Sequence, residues 1–344
     1  MRKNLNRVRV EGYVYEHSLA VKQVANQASK NFGQDFIGGE LSIAVDELGM
    51  NVLTIHYTYV TPTTSTGKPN STYNILKRII EDKVAIQDEA GNIVQKSKTW
   101  IEAGKDNAFR VRADSAIALN DFYTQDDRQV SAKRIEGGFL SIVTDELVAE
   151  ESRNTFTVDM LISSVKHVDA DPEKYIENDY VDLGGYVFNF RNDILPMNLM
   201  VTNPDGMKFF EDMDASPAQP IYLKVWGRIN CTTVETERVE ESAFGKAAVT
   251  SFKRQNREWI VTGAATVPYD FGDESIMTAE EVVKALQDRE VRWAEIKKRN
   301  DEYRASQSAG GAGLNFGTAA ATATTAIPNL STASNVGFGS GFKF

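Results

Sequence analysis

Cysteine is nearly absent: one residue in 344, beside three histidines and nine prolines. Cys231 alone cannot form an intramolecular disulfide. That excludes the small secreted scaffolds that substitute cross-links for a core, and a reducing, cytoplasmic setting is expected. His17, His56 and His167 are scattered, with no H-E-x-x-H and no C-x-x-C, so neither a zinc site nor another cofactor is expected. No G-x-S-x-G elbow is present. Gly245-Lys246 has Glu at 240 and Ala at 247 where a phosphate-binding loop needs glycine and a hydroxyl. No run approaches the ~18 apolar residues of a membrane span. Residues 1–11 are polar and charged, without the apolar centre of a signal peptide. These absences point away from an enzyme and away from a membrane.

What remains is ordinary globular composition, 42% hydrophobic and 25% charged. The length suits two or three domains. A formal net charge of -10 excludes a protein that is basic all over, but it is compatible with a local basic groove.

The most informative pattern is internal. Residues 38–48 read GGELSIAVDEL and residues 137–147 read GGFLSIVTDEL, with eight of eleven positions identical. Arg7-Val8-Arg9-Val10 precedes the first copy by 31 residues. Arg110-Val111-Arg112-Ala113 precedes the second by 27. Two tandem units of about 100 residues are therefore expected. The boundaries this suggests are 1–104 and 105–277, with about 180–277 either completing the second unit or forming a third.

Both units read as β. Val8, Val10, Gly12 and Val14 alternate with Arg7, Arg9, Glu11, Tyr13 and Tyr15, a period of two. Gly49 marks a turn, so 40–60 reads as a hairpin. Residues 61–71 are loop, and 72–82 has a helical apolar stripe after a Ser71 cap. Strands are expected near 98–101 and 109–119, at 221–229 and at 259–267. The polar stretch 235–257 between the last two reads as a hairpin or flap. Thr278 to Glu281 has the capping-box pattern, opening a helix to about 305. Residues 306–344 are Gly, Ala, Ser and Thr without acidic residues, a low-complexity flexible tail. The fold class is mainly β: tandem OB-like five-stranded barrels with a C-terminal helix and a flexible tail.

The repeated Asp46-Glu47 and Asp145-Glu146 pairs could suggest a metal-dependent nuclease. Adjacent strand residues point to opposite faces, which spoils chelation, and Asp at a turn caps backbone N–H groups. The turn reading is preferred, and no metal is expected. The stronger signal is aromatic–basic alternation. Along 221–229, Tyr222, Lys224, Trp226 and Arg228 face one way. Bases stack on such rings while Lys and Arg neutralise phosphates. Arg7, Arg9, Tyr13 and Tyr15 show the same pattern on the first strand. Arg110 and Arg112 repeat the basic pair. Lys253 and Arg254 add charge in the flap.

The VRVEGYVYE opening (8–16), the FIGGELSIAVDE strand (36–47), the long loop and the NILKRIIE helix (74–81) together resemble single-stranded DNA-binding proteins of the OB-fold type, especially multi-domain phage versions. The resemblance covers roughly 5–120 and returns more weakly at 107–165. It implies sequence-tolerant binding of single-stranded DNA in phage or mobile-element replication and recombination, within the host cytoplasm. Bacterial members end in an acidic tail with a terminal Phe that recruits partners. Here Phe344 is present, but Lys343 stands where acidic residues would be. Contacts of the tail with replication proteins, or with other copies of the chain, are what the resemblance leaves open. The competing reading is a β-rich virion structural or assembly protein.

Overall fold

Strand alternation carries directly into the architecture. In a computed structural model, described over residues 4–171, 176–240 and 248–309, β1 (Asn6–His17) buries Val8, Val10 and Val14 and turns Arg7 and Arg9 outward. Side chains of 232–240, 248–256 and 306–309 are not described.

After β1 come β2 (Ala20–Gln23), β3 (Asp35–Ala44), β4 (Val52–Val60), α1 (Ser71–Glu81), β5 (Lys83–Gln87), β6 (Ile93–Ser97), α2 (Trp100–Ala103), β7 (Arg110–Tyr123) and β8 (Gln129–Ile142). Five of these strands close on themselves in the order β1-β3-β4-β8-β7-β1, with β4 and β8 parallel. Numbered within the barrel, that order is 1-2-3-5-4-1. A helix, α1, comes between the third and fourth strands in sequence and buries Tyr73, Leu76 and Ile79 in the core, packing mainly on β8 and β3. This is the five-stranded Greek-key barrel of the OB class.

The chain then repeats the plan. β9 (Asn154–Val168), β10 (Tyr180–Phe188), β11 (Ile194–Val201), α3 (Pro204–Glu211), β12 (Ile221–Glu240) and β13 (Ala248–Ala264) follow. They close as β9-β10-β11-β13-β12-β9, with β11 and β13 parallel and α3 in the place of α1. The fold class read from sequence therefore stands: mainly β, with two such barrels and a C-terminal helix, α4 (Ala279–Ala309). Its capping box is made as the sequence pattern requires, with Thr278 Oγ1 accepting from Glu281 N and Glu281 Oε2 accepting from Thr278 N. Of the expected tail, 306–344, the first four residues instead continue α4, and 310–344 lie outside the described residues.

The domain boundary needs correction. A cut at 104/105 would remove β7 and β8 from the first barrel, yet β7 pairs with β1 from Val8↔Ser115 to Tyr13↔Arg110. The barrels meet between 142 and 154, and 180–264 completes the second with β9. The two GGxLSI copies are likewise not equivalent strands of two domains: one is β3 and the other β8, in the same barrel. Their common cause is local. A Cβ at Gly39 would stand 2.5 Å from Ser18 O, and one at Gly138 would collide with Asp114 O. Both sites bring a strand's backbone against a neighbouring carbonyl, which only glycine permits. Two smaller expectations also shift. Residues 100–103 are helical, and the cap of α1 is Asn70, whose side chain accepts from Thr72 N and Tyr73 N.

The barrels are fused through their first strands. β1 pairs antiparallel with β9 from Asn6↔Val158 to Val10↔Asn154. Antiparallel pairing of two equivalent strands is what a local two-fold axis produces. One apolar core runs through both barrels, from Val8 and Ile43 to Phe156 and Trp259. Asn6 pins the junction: its side chain accepts from Ile117 N and donates to Ile117 O and Phe188 O.

Candidate nucleic-acid interface

Pairing of β1 with β9 makes one sheet face that crosses both barrels. Registered partners on it can be followed strand by strand. Arg228 on β12 lies opposite Thr155 on β9, Thr155 opposite Arg9, Arg9 opposite Asp114 on β7, and Asp114 opposite Phe139 on β8. The next row runs Trp226–Thr157–Arg7. Directly opposed residues share a face. At roughly 4.8 Å per strand, the first row spans about 19 Å.

Several of these side chains reach solvent. Trp226 is 40% exposed and Phe139 77% exposed. The Trp226 ring lies across Gly263, whose missing Cβ leaves room for it. Arg7 and Arg9 share one carboxylate: Asp114 Oδ1 accepts from Arg7 Nε (3.0 Å), Arg7 Nη2 (2.6 Å) and Arg9 Nε (3.3 Å). Burial alone would raise the Asp114 pKa, but the two guanidiniums hold it below the usual carboxylate range. Arg228 donates from Nε to Asn154 Oδ1 at 3.3 Å. Lys224 faces Asp159 across the β12–β9 pair.

Of the residues proposed from sequence, Arg7, Arg9, Lys224, Trp226 and Arg228 thus come together. Arg112 lies one pair further along β7, bound to the buried Glu11. The others diverge. Tyr222 is a correction: it is 1% exposed, donates its hydroxyl to Asn4 Oδ1, and packs among Phe188, Tyr269 and Phe271. It shares the parity of Trp226, but the segment before α4 folds over it, so no base can reach the ring. Tyr13 and Tyr15 turn outward at the far end of β1, where Trp100 of α2 stands against both, at 5.5 and 6.1 Å between centroids. Arg110 donates to Thr144 O. Lys253 and Arg254 lie outside the described side chains. Their strands do form the expected hairpin, paired out to Glu240↔Ala248.

Sequence reasoning missed Phe139, although the signal was visible. It is the one aromatic in GGFLSI, at the position where the first copy has Glu40. It also missed a second aromatic group on the β3–β4 face, where Phe36 and Tyr59 pack at 4.8 Å. The exposed Phe32 lies in the preceding loop. Strands two and three are the surface on which OB barrels commonly bind oligonucleotides. In the second barrel the matching surface is partly occupied: Tyr186 packs in the α4 cluster, and Lys133 of the first barrel donates to Asn198 O at 2.8 Å.

Of the Asp-Glu pairs, Asp46 acts as the expected turn residue, whereas Glu47 is held by ion pairs. Asp46 accepts from Met50 N and Asn51 N, and Glu47 pairs with Arg153 and Lys105. Among the described residues, one exposed group, His167 with Asp169 and Asp179, has atoms close enough to hold a cation. No helix among the described residues is long and apolar enough to cross a membrane.

Residues 4–299 match the family model described as YorF. No curated protein matches the chain. A crystal structure of the single-stranded DNA binding protein from Thermus aquaticus, in a variant with a deletion and a point substitution, is similar over 80% of this chain and 100% of that one. Identity is 10% and the TM-score 0.39. A likeness that loose decides nothing about function.

Proposed function

The chain belongs to the YorF family, and we propose that this member binds single-stranded DNA without sequence preference, as a non-catalytic protein of phage or mobile-element replication and recombination. The observation that carries the reading is the contiguous sheet face spanning both barrels. On it Trp226 and Arg228 lie at the β12 flank, Phe139 at the β8 flank, and Arg7 and Arg9 between them. Rings supply stacking that every base can use, and guanidiniums supply charge for the backbone. The overall charge of -10 does not oppose this, because Asp114, the carboxylate beside Arg7 and Arg9, is already paired with both. The barrel topology supports the same reading, since OB barrels are a recurrent scaffold for oligonucleotides.

Fluorescence anisotropy with oligo-dT, at several salt concentrations, tests it. Trp226→Ala is expected to weaken binding by about 1–3 kcal/mol, with the fold intact. A wild-type chain that binds no oligonucleotide at low salt refutes the reading. The Phe36–Tyr59 pair favours a second location on the β3–β4 face. Loss on Tyr59→Ala without loss on Trp226→Ala would move the site there. The assembly-protein alternative predicts oligomers by gel filtration that are indifferent to oligonucleotide.

A further inference from the structure

The β1–β9 junction contains a recess of about 220 Å³ lined by Arg7, Arg9, Thr155 and Thr157. It is formed by two adjacent cross-strand pairs, Arg7↔Thr157 and Arg9↔Thr155. Each pair sets an arginine opposite a threonine, and each barrel contributes one side. Inward from the same strands lie Val8 and Phe156, both buried, so the floor is fixed by core packing.

Asp114 sets the electrostatics. Its Oδ1 takes both Nε groups and one Nη2, which fixes the two guanidinium planes and leaves one positive charge in surplus. A guanidinium has five N–H donors, so most of those on Arg9 and part of those on Arg7 stay free for an acceptor. Threonine hydroxyls donate as readily. A recess lined by N–H and O–H donors with surplus positive charge suits a tetrahedral oxyanion.

We propose that this recess seats one phosphate group of a bound strand, at the line where the two barrels join. The proposal rests on the single-strand reading and adds a path to it. The strand runs across the β-strands, with bases over Trp226 on one side of the seat and Phe139 on the other. The two barrels then act as one site of fixed geometry, not as two sites on a tether.

Two experiments on the full chain test it. In the first, inorganic phosphate is titrated while side-chain Nε–H signals of labelled arginine are followed by NMR. Saturable shifts of the Arg7 and Arg9 signals, lost in Thr155→Val/Thr157→Val, are expected. That variant keeps both charges and the side-chain shape. In the second, the salt dependence of oligo-dT binding is compared among variants. Arg7→Gln/Arg9→Gln should flatten the slope of log K against log salt by about 0.7, the single-strand value for one phosphate. Trp226→Ala should lower affinity and leave the slope unchanged.

The outcomes separate the two readings. Oligonucleotide binding with an unchanged slope in Arg7→Gln/Arg9→Gln overturns the seat and spares the single-strand reading. Phosphate shifts that need the threonines, without oligonucleotide binding, support the seat and overturn that reading. No shift of the Arg7 and Arg9 signals at millimolar phosphate overturns the seat.

Discussion

Arg289 ties the C-terminal helix to both barrels, and its removal should be costly. Its two Nη groups bind both oxygens of Asp121 on β7 at 3.0 Å. Nη2 also donates to Ser131 Oγ on β8, and Nη1 to Ile194 O on β11. The guanidinium lies 5.6 Å from the Trp293 ring centroid. Side-chain exposure is 10% for Arg289 and 4% for Asp121. In Arg289→Met the stem remains, but Asp121 keeps only Ser131 as a partner inside the contact. Breaking a buried pair from one side costs about 3–5 kcal/mol, mostly the penalty of an uncompensated charge. Adding Asp121→Asn removes that charge, so the double variant should recover a large part of the loss. Urea unfolding followed by tryptophan fluorescence and far-UV circular dichroism gives the three values. A single variant within about 1 kcal/mol of wild type would refute the reasoning, since a cost that small belongs to an exposed pair. So would a double variant no more stable than Arg289→Met.

Two more expectations follow from the same geometry. Tyr222→Phe should lower stability by about 1–2 kcal/mol through loss of a buried hydrogen bond, and should leave oligonucleotide affinity unchanged. Reduced affinity with unchanged stability would return Tyr222 to the interface. Acidification should destabilise the chain partly through Asp114 and Glu47. Arg7 and Arg9 depress the first despite its burial. Arg153 and Lys105 depress the second. Their contribution is fully present above the unfolded carboxylate range near pH 4, and is lost as pH falls through the lower folded values. Urea midpoints measured between about pH 5 and 2.5 should therefore fall less steeply in Asp114→Asn, and equal slopes would contradict this.

Much of the fold was legible because local pattern and tertiary environment agree. The two-residue period of β1, the Asp46 turn, the α1 stripe and the α4 capping box each depend on neighbours within a few positions. What failed depends on distant chain. Self-similarity of β3 and β8 looked like two domains, whereas it reflects two equally tight strand approaches in one barrel. Tyr222 and Trp226 are indistinguishable by parity. Only the return of Tyr269 and Phe271, more than 40 residues later, buries the first and spares the second. The grouping of Arg7 and Arg9 with Trp226 depends on the β1–β9 register across about 150 residues, and no periodicity reports that.

That register also has a consequence for synthesis of the chain. β1 emerges first, and β3 follows from residue 35, but its other two partners arrive late: β7 begins at residue 110 and β9 at 154. At roughly 5–20 residues per second, the edge of β1 that receives β9 waits on the order of ten to thirty seconds on a nascent chain. An unpaired edge is a template for wrong pairing. Outward Arg7 and Arg9 give that waiting strand charge along one side, which discourages association between neighbouring nascent chains. Long-range closure of this kind also slows folding, because loop entropy is lost before contacts form. The first barrel can close once β8 is out, whereas its seam with the second is completed only afterwards.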